Sequence, residues 1–317
     1  MKQGKPRFNL LRQCTDTVLM VRPVAFGFNH ETATTNAFQK QTNQQESSDI
    51  QLKALEEFNE LEATLRENHI QVIIVEDTKV PVKPDAIFPN NWITTHSDGT
   101  IITYPLHSSL RRAERREDIL ELLSNEFKVQ NQYSFEHYEE EGKFLEGTGS
   151  MILDRINHIV YACLSPRTDP ELLEHFTLLK QYRKVSFKAT DPSGTNIYHT
   201  NVMMALGETQ AVVCLECIHD ESEKETLIQS LTDTGKEIIE IKWEQVLHFA
   251  GNMLQLKNIH GDLYWVMSRA ALNSLDQDQR NSLQANARII ASPISTIEYY
   301  GGGSVRCMLA EIFLQKK

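Results

Sequence analysis

The chain has 317 residues and a net charge of -11, with 40% hydrophobic and 24% charged side chains. That is enough apolar material for a full core, and the acidic balance excludes the basic surface needed by a nucleic-acid binder or by a protein held on anionic lipid. No apolar run approaches the roughly 18 residues of a membrane span, Met1–Phe8 lacks the apolar stretch of a secretory leader, and the cysteine count of five is odd, so a cytoplasmic protein is expected.

In chain order, Thr17–Arg22 reads as a short apolar strand. Asn29–Ser48, rich in Thr, Asn and Gln, reads as a surface loop with the character of a lid. Leu52, Leu55, Phe58, Leu61 and Leu65 predict a helix over Asp49–Asn68, followed by a strand at Ile70–Val75. Ala86–Phe88 and Trp92–Thr95 read as extended, and Ser97-Asp98-Gly99 turns the chain into Thr100–Tyr104. A charged helix is expected over Arg112–Ser124, and strands over Lys128–Tyr133, Ser150–Asp154 and His158–Cys163. A helix follows at Pro170–Lys180, then paired strands at Asn201–Leu206 and Gln210–Ile218. The rest reads as a helix at Glu221–Thr232, a strand at Glu237–Ile241 and a helix at Trp243–Phe249. A hairpin of Met253–Lys257 with Leu263–Ser268, a helix at Gln277–Ala287 and a strand at Arg288–Ala291 complete it.

The same unit, two strands, a helix and a strand, recurs about five times, and no Pro/Ser-rich linker divides it. We therefore expect one α/β domain over 1–317. Neither G-x-G-x-x-G nor G-x-x-x-x-G-K-[ST] is present, so dinucleotide and phosphate cradling are unsupported. Cys214 and Cys217 have CxxC spacing, but on a strand their side chains would point to opposite faces and could not grip one metal ion.

Five segments carry chemistry. The last is Gly301-Gly302-Gly303-Ser304-Val305-Arg306-Cys307, ahead of an amphipathic tail, Met308–Leu314: glycines allow close backbone approach, and a thiol beside a cation gains thiolate character. The others are Pro84–Trp92, with Asp85, Asn90 and Asn91; Leu145–Ser150, with Glu146; Ser165–Asp169, with Arg167; and Tyr198–Asn201, with His199. Taken singly each has an ordinary structural reading: Asn90-Asn91 as a turn, Thr168 or Asp169 as a helix cap, His199 as a core histidine.

Their joint order, Asp, Glu, Arg, His and then GGGSVRC, resembles the guanidino-group-modifying superfamily, the penteins, from about Val18 to the end. The resemblance is nearest to the branch of dimethylarginine hydrolases and citrulline ureidases. It implies a fivefold pseudo-symmetric α/β propeller of ββαβ modules. It also implies Cys307 as nucleophile, His199 as catalytic histidine, Glu146 as proton relay, Asp85 on the substrate's nitrogen end, and Arg167 on an α-carboxylate. Arg111 or Arg112 would be a second such arginine. The implied partner is a small amino-acid substrate, with no metal or organic cofactor, no nucleic acid and no membrane; a homo-oligomer stays open.

The chain departs from the family at two places. Asn201 stands where arginine deiminases carry a second aspartate, and Asn90-Asn91 stand where dimethylarginine hydrolases carry an acidic pair. A buried guanidinium needs paired negative charge, whereas a ureido group is neutral and both donates and accepts. The best reading is therefore citrulline hydrolysis to ornithine, ammonia and carbon dioxide. Hydrolysis of arginine or dimethylarginine to citrulline stays open, as does a non-catalytic metabolite-binding protein; an amidinotransferase is less well supported.

Overall fold

The computed structural model describes residues 11–32, 38 and 47–317. Of the lid expected over 29–48, residues 33–37 and 39–46 lie outside the described residues.

Among the described residues, fifteen strands form five three-stranded sheets. β1 (Thr17–Arg22) is followed by α1 (Ser47–Glu67) and β2 (Gln71–Glu76). The second module is β3 (Ile93–Thr95), β4 (Thr100–Thr103), α2 (Glu117–Glu126) and β5 (Asn131–Ser134). The third opens with a single helical turn, α3 (Gly147–Ser150), then β6 (Ile152–Asp154), β7 (Ile159–Cys163), α4 (Pro170–Lys180) and β8 (Arg183–Phe187). The fourth repeats the plan with α5 (Thr200–Met203), β9 (Met204–Leu206), β10 (Gln210–Val213), α6 (Glu221–Asp233) and β11 (Glu237–Glu240). The fifth has α7 (Trp243–Val246), β12 (Leu254–Lys257), β13 (Leu263–Ser268), α8 (Arg269–Ser274), α9 (Gln277–Gln284) and β14 (Arg288–Ser292). The chain ends through α10 (Ser295–Gly301), α11 (Val305–Met308) and β15 (Ala310–Glu311).

In each sheet the first strand pairs antiparallel with the second, and the second pairs parallel with the third across a helical crossover. The first module is completed from the far end of the chain: β15 lies antiparallel to β1, Val18 opposite Glu311, and β1 runs parallel to β2. Both chain ends therefore share one sheet, which closes the fivefold pseudo-symmetric pentein fold.

The helices form for local reasons. Ile50, Ala54, Phe58, Leu61 and Leu65 put one buried stripe on α1, whereas Leu52, expected on it, is 57% exposed. Asp169 caps α4, its carboxylate accepting from the N–H groups of Glu171 and Leu172, with Pro170 in the first turn. Asp220 does the same for α6.

Several expectations are corrected, and most corrections fall just before a strand. Ala86–Phe88 is a turn and its end rather than extended chain, and Pro89–Asn91 is one 3-10 turn. The helix expected over Arg112–Ser124 is a 3-10 segment, Ser109–Glu114, followed by α2. Ser150 and Asn201–Met203 belong to the single turns α3 and α5, so the strands start later. β8 and α8 carry too weak a pattern to be read from the sequence. The strand expected to Ile218 ends at Val213, and a 3-10 turn at Leu215–Cys217 brings the Cys214 and Cys217 sulfurs to 3.2 Å, not to opposite faces. Among the described residues no group of three or more His, Cys, Asp or Glu side chains is placed to hold a metal ion, and no helix is long and apolar enough to cross a membrane.

Candidate active site

The segments that precede the first strands of the modules converge. Pro89–Asn91 packs on α3 and α11, and α3 packs on α5. Beside them lies a small cavity lined by Asp85, Asn91, Arg111, Arg167, His199, Cys307 and the glycines 301–303, with Thr32, Phe88 and Tyr198.

Cys307 sits in the single turn α11, its N–H donating to Ser304 O at 2.9 Å. The glycines before it serve two purposes. Gly302 adopts φ 62°, a conformation that costs a side chain strain, and ends α10. Gly301 and Gly303 lie against the Phe88 ring, where an added Cβ would come within 2.8–2.9 Å of ring carbons. Arg306, expected beside the thiol, turns its guanidinium to Glu311 at 2.8 Å and to Leu309 O at 2.9 Å. The sulfur instead receives two amide N–H groups, from Asn252 at 3.3 Å and from Asn201 at 3.5 Å.

His199 stands at the residue before α5 and makes no side-chain cap, and its Nε2 meets Glu146 Oε2 at 2.7 Å. Glu146 is fully buried behind the histidine; its other oxygen accepts the His107 N–H at 2.8 Å, and Arg167 lies 3.5 Å away. Burial alone would raise its pKa, but Arg167, His199 and Arg111 outweigh it and hold the carboxyl well below the usual range. Burial pushes the His199 pKa down, Glu146 pulls it up, and Arg167 and Arg111 push it down again, leaving it below the ordinary histidine value. Glu146, expected as a proton relay, is not among the residues that line the cavity; it hydrogen-bonds the histidine that is.

Asp85 is 2% exposed, and burial raises its pKa despite Arg111, Asn29, Arg167 and Thr32. Its Oδ2 accepts from Asn29 Nδ2 at 2.8 Å and Thr32 Oγ1 at 3.3 Å, while Oδ1 has no hydrogen-bond partner among the described residues. Arg111 resolves the choice between two neighbours: it lines the cavity, whereas Arg112 pairs with Glu139 at 3.0 Å. The Arg111 fork expected to grip an α-carboxylate is closed by Glu114, at 2.9 Å from both Nε and Nη2, and its Nη1 donates to Asn91 Oδ1 at 2.8 Å. Burial lifts the Glu114 pKa to about 7, against the pull of Arg111. Arg167 lies over the Tyr198 ring at 4.9 Å, and its Nη2 donates to Thr32 O at 3.3 Å.

Two expected substrate contacts are corrected. Successive residues of a 3-10 turn diverge by about a third of a turn, so Asn91 faces the cavity while Asn90 turns to Thr148, 3.4 Å away. Asn201 meets Cys307 rather than the cavity lining. Sequence reasoning missed Asn252, Asn29, Thr32 and Tyr198. A signal for Asn252 existed: Gly251-Asn252-Met253 stands before β12 as Asn90-Asn91-Trp92 stands before β3.

Five such modules, with these segments gathered at one cavity, define a pentein of the guanidino-group-modifying superfamily. A family model described as N,N dimethylarginine dimethylhydrolase, eukaryotic, matches residues 22–314, and the chain belongs to that family. It is a hydrolase acting on C–N bonds. No curated protein sequence matches the chain. Among solved structures it is similar to the N-terminal domain of ArgZ, bound to substrate, an arginine dihydrolase from the ornithine-ammonia cycle in cyanobacteria; the identity is 16% and the TM-score 0.72, over 94% of this chain and 99% of that one. It is also similar to AgrE in a ternary complex with ornithine and NAD+, at 17% identity and TM-score 0.73, over 93% of this chain but 39% of that one. A dimethylarginine dimethylaminohydrolase adduct with 4-chloro-2-hydroxymethylpyridine matches at 15% and 0.64, over 94% of this chain and the whole of that one. At these identities the likeness is one of fold.

Proposed function

We propose that the chain, acting as one catalytic domain, hydrolyses the ureido group of citrulline to ornithine, ammonia and carbon dioxide through a covalent intermediate on Cys307. The observation that carries this reading is the fixed orientation of Asn91. Its Oδ1 is held by Arg111 Nη1, which can only donate, so the end left over is Nδ2, a donor without a partner among the described residues. Beside it, Asp85 Oδ1 is an unused acceptor. A ureido group offers an oxygen to the first and N–H to the second. A guanidinium offers donors alone and would leave Asn91 facing another donor.

In this reading the Cys307 thiolate attacks the ureido carbon, and His199 gives its proton to the departing ammonia. Water, deprotonated by the same histidine, then cleaves the resulting S-thiocarbamate. The carbamic acid released loses carbon dioxide to give ornithine. Arg167 pairs with the substrate's α-carboxylate, for which a guanidinium is suited. The fold shared with the substrate-bound N-terminal domain of an arginine dihydrolase supports a small amino-acid substrate.

The second reading, attack on arginine or dimethylarginine, is favoured by the family description and by the buried carboxylate of Asp85. The test runs citrulline, arginine and dimethylarginine in parallel for the wild type and Cys307→Ala, following ammonia and ornithine from the first, ammonia and citrulline from the second, and dimethylamine and citrulline from the third. Citrulline turnover lost in Cys307→Ala supports the ureido reading, whether or not arginine is also consumed. Turnover of arginine or dimethylarginine with citrulline untouched overturns it in favour of the second.

A further inference from the structure

Each module carries one small polar residue in the segment before its first strand. Asn91 stands two residues before β3, Ser150 two before β6, Asn201 three before β9 and Cys307 three before β15. The fifth module's contribution is Asn252, two residues before β12. Its placement follows from the pseudo-symmetry that places the nucleophile.

Asn252 is 3% exposed, and both ends of its amide are in use. Oδ1 accepts the backbone N–H of Arg306 at 3.1 Å, inside the nucleophile's turn. Nδ2 donates to Asn201 O at 3.0 Å, inside the histidine's turn, and to Cys307 Sγ at 3.3 Å. A backbone N–H can only donate and a carbonyl can only accept, so the amide has one orientation, and the end toward the sulfur is a donor. Sγ lies farther from Oδ1, at 3.7 Å. A hydrogen bond donated to sulfur favours its anionic form.

We infer that Asn252 is a catalytic residue: it stabilises the thiolate of Cys307 and locks the nucleophile's turn to the histidine's turn, with Asn201 as the second donor. This rests on Cys307 being the nucleophile proposed above. The charged and titratable groups around the sulfur are Tyr198 and Arg306, which interact with it, and His199, Asp85, Arg111 and Arg167, which share its cavity. Arg306 is engaged by Glu311, so the two amides are the hydrogen-bond donors to the sulfur among the described residues.

The test is the pH dependence of Cys307 alkylation by iodoacetamide in the full chain, followed at that residue by peptide mass spectrometry, for the wild type, Asn252→Asp and Asn252→Ala. The aspartate is isosteric but sets a negative charge against the sulfur. Its alkylation rate at neutral pH should fall about tenfold or more, because the added negative charge opposes the thiolate, and recover at higher pH. Asn252→Ala should lower kcat by about 10²-fold with KM within about threefold, as for loss of one preorganised donor. Wild-type alkylation profiles in both variants would overturn the assignment. Should Asn252→Ala fail to fold by circular dichroism, the aspartate decides alone. Alkylation needs no substrate, so its outcome is separate from the citrulline reading, and turnover retained in Cys307→Ala would mark failure of the nucleophile instead.

Discussion

The carboxylate of Glu146 lies 2.7 Å from His199 Nε2, with no solvent access. Because Arg167, His199 and Arg111 overcome its burial and keep Glu146 ionised, Nε2 carries the proton and Nδ1 is the basic nitrogen. Glu146→Gln removes the charge that supports imidazolium. It should lower kcat by about 10²-fold or more with little change in KM. It should also move the acid limb of the kcat/KM profile to lower pH, since burial, Arg167 and Arg111 then act on His199 without opposition. An acid limb that stays in place would show that the pair does not set the histidine's charge.

Asn91→Asp exchanges the donor facing the cavity for an acceptor while leaving Arg111 a partner. If the pocket discriminates by that donor, kcat/KM for citrulline should fall by about 10²-fold relative to arginine, the scale on which a buried unpaired group is penalised. An unchanged ratio of the two specificity constants would exclude Asn91 as the discriminating group.

The modular plan was legible because strand patterns are local signals, whereas Cys307, His199, Glu146, Asp85 and Arg167 stood out only through a glycine run and an order of polar residues that resemble a family; of these, Cys307, His199, Asp85 and Arg167 line one cavity. Four things were not legible. The single helical turns before the strands are four residues or shorter and leave no periodicity, so Asn90 and Asn91 read alike until a 3-10 turn separates them. The fork of Arg111 is closed by Glu114, three residues on, a pairing that depends on how the 3-10 segment is buried. Cys214 and Cys217 meet because the strand stops at Val213, which the apolar run up to Ile218 conceals. Asn252 lacked a motif of its own and becomes visible once the five modules are superposed in order.

Gly149 shows how tightly the histidine is packed. A Cβ there would stand 2.4 Å from Asn91 Nδ2 and 2.8 Å from both Cε1 and Nδ1 of His199. Gly149→Ala should therefore displace the His199 ring and the Asn91 amide together. A shift on the order of 1 Å is enough to cost about 10²-fold in kcat. Steady-state kinetics on folded variant would check this; kcat within twofold of wild type would mean that the ring relaxes freely.

Glu31 ties Asn29–Thr32 to the Ser108–Leu110 segment. Its carboxylate accepts from the Ser108 and Ser109 hydroxyls at 2.7 Å each and from Leu110 N–H at 3.1 Å. The Ser109 hydroxyl foremost, with Leu110 N–H and Ser108, outweighs desolvation and draws its pKa down to about 2. Asn29 and Thr32 from the same segment hold Asp85. Glu31→Ala should raise KM several-fold, by about 5 to 10, as for one lost charge-assisted anchor, and leave kcat nearly unchanged. Because the carboxylate stays ionised well below neutrality, wild-type KM should show no Glu31 titration between pH 5 and 8. A fall in kcat at constant KM would place Glu31 in the chemistry instead.

Glu298 holds both ends of the glycine turn that leads to Cys307. Its backbone carbonyl accepts Gly302 N–H at 3.0 Å, and its side chain accepts the Ser304 hydroxyl at 2.6 Å. Burial pushes its pKa up to about 7, although the Ser268 and Ser304 hydroxyls pull it down. The native state thus keeps a proton that the unfolded chain, titrating near 4.5, has lost. Between those values the native state binds more protons, so stability falls as pH rises from about 4.5 through 7 and levels off above. The loss has an upper scale of about 3 kcal/mol, the equivalent of the pKa difference. Glu298→Gln has no charge to gain and should show a flatter stability curve, overtaking the wild type at pH 8 while matching or trailing it at pH 5. Glu114, also raised to about 7, slopes the same way in both proteins and cancels in their difference. Urea unfolding at pH 5, 6, 7 and 8 measures that difference directly. A constant offset across the series would mean that Glu298 is already ionised in the fold and acts on the glycine turn as a fixed anion.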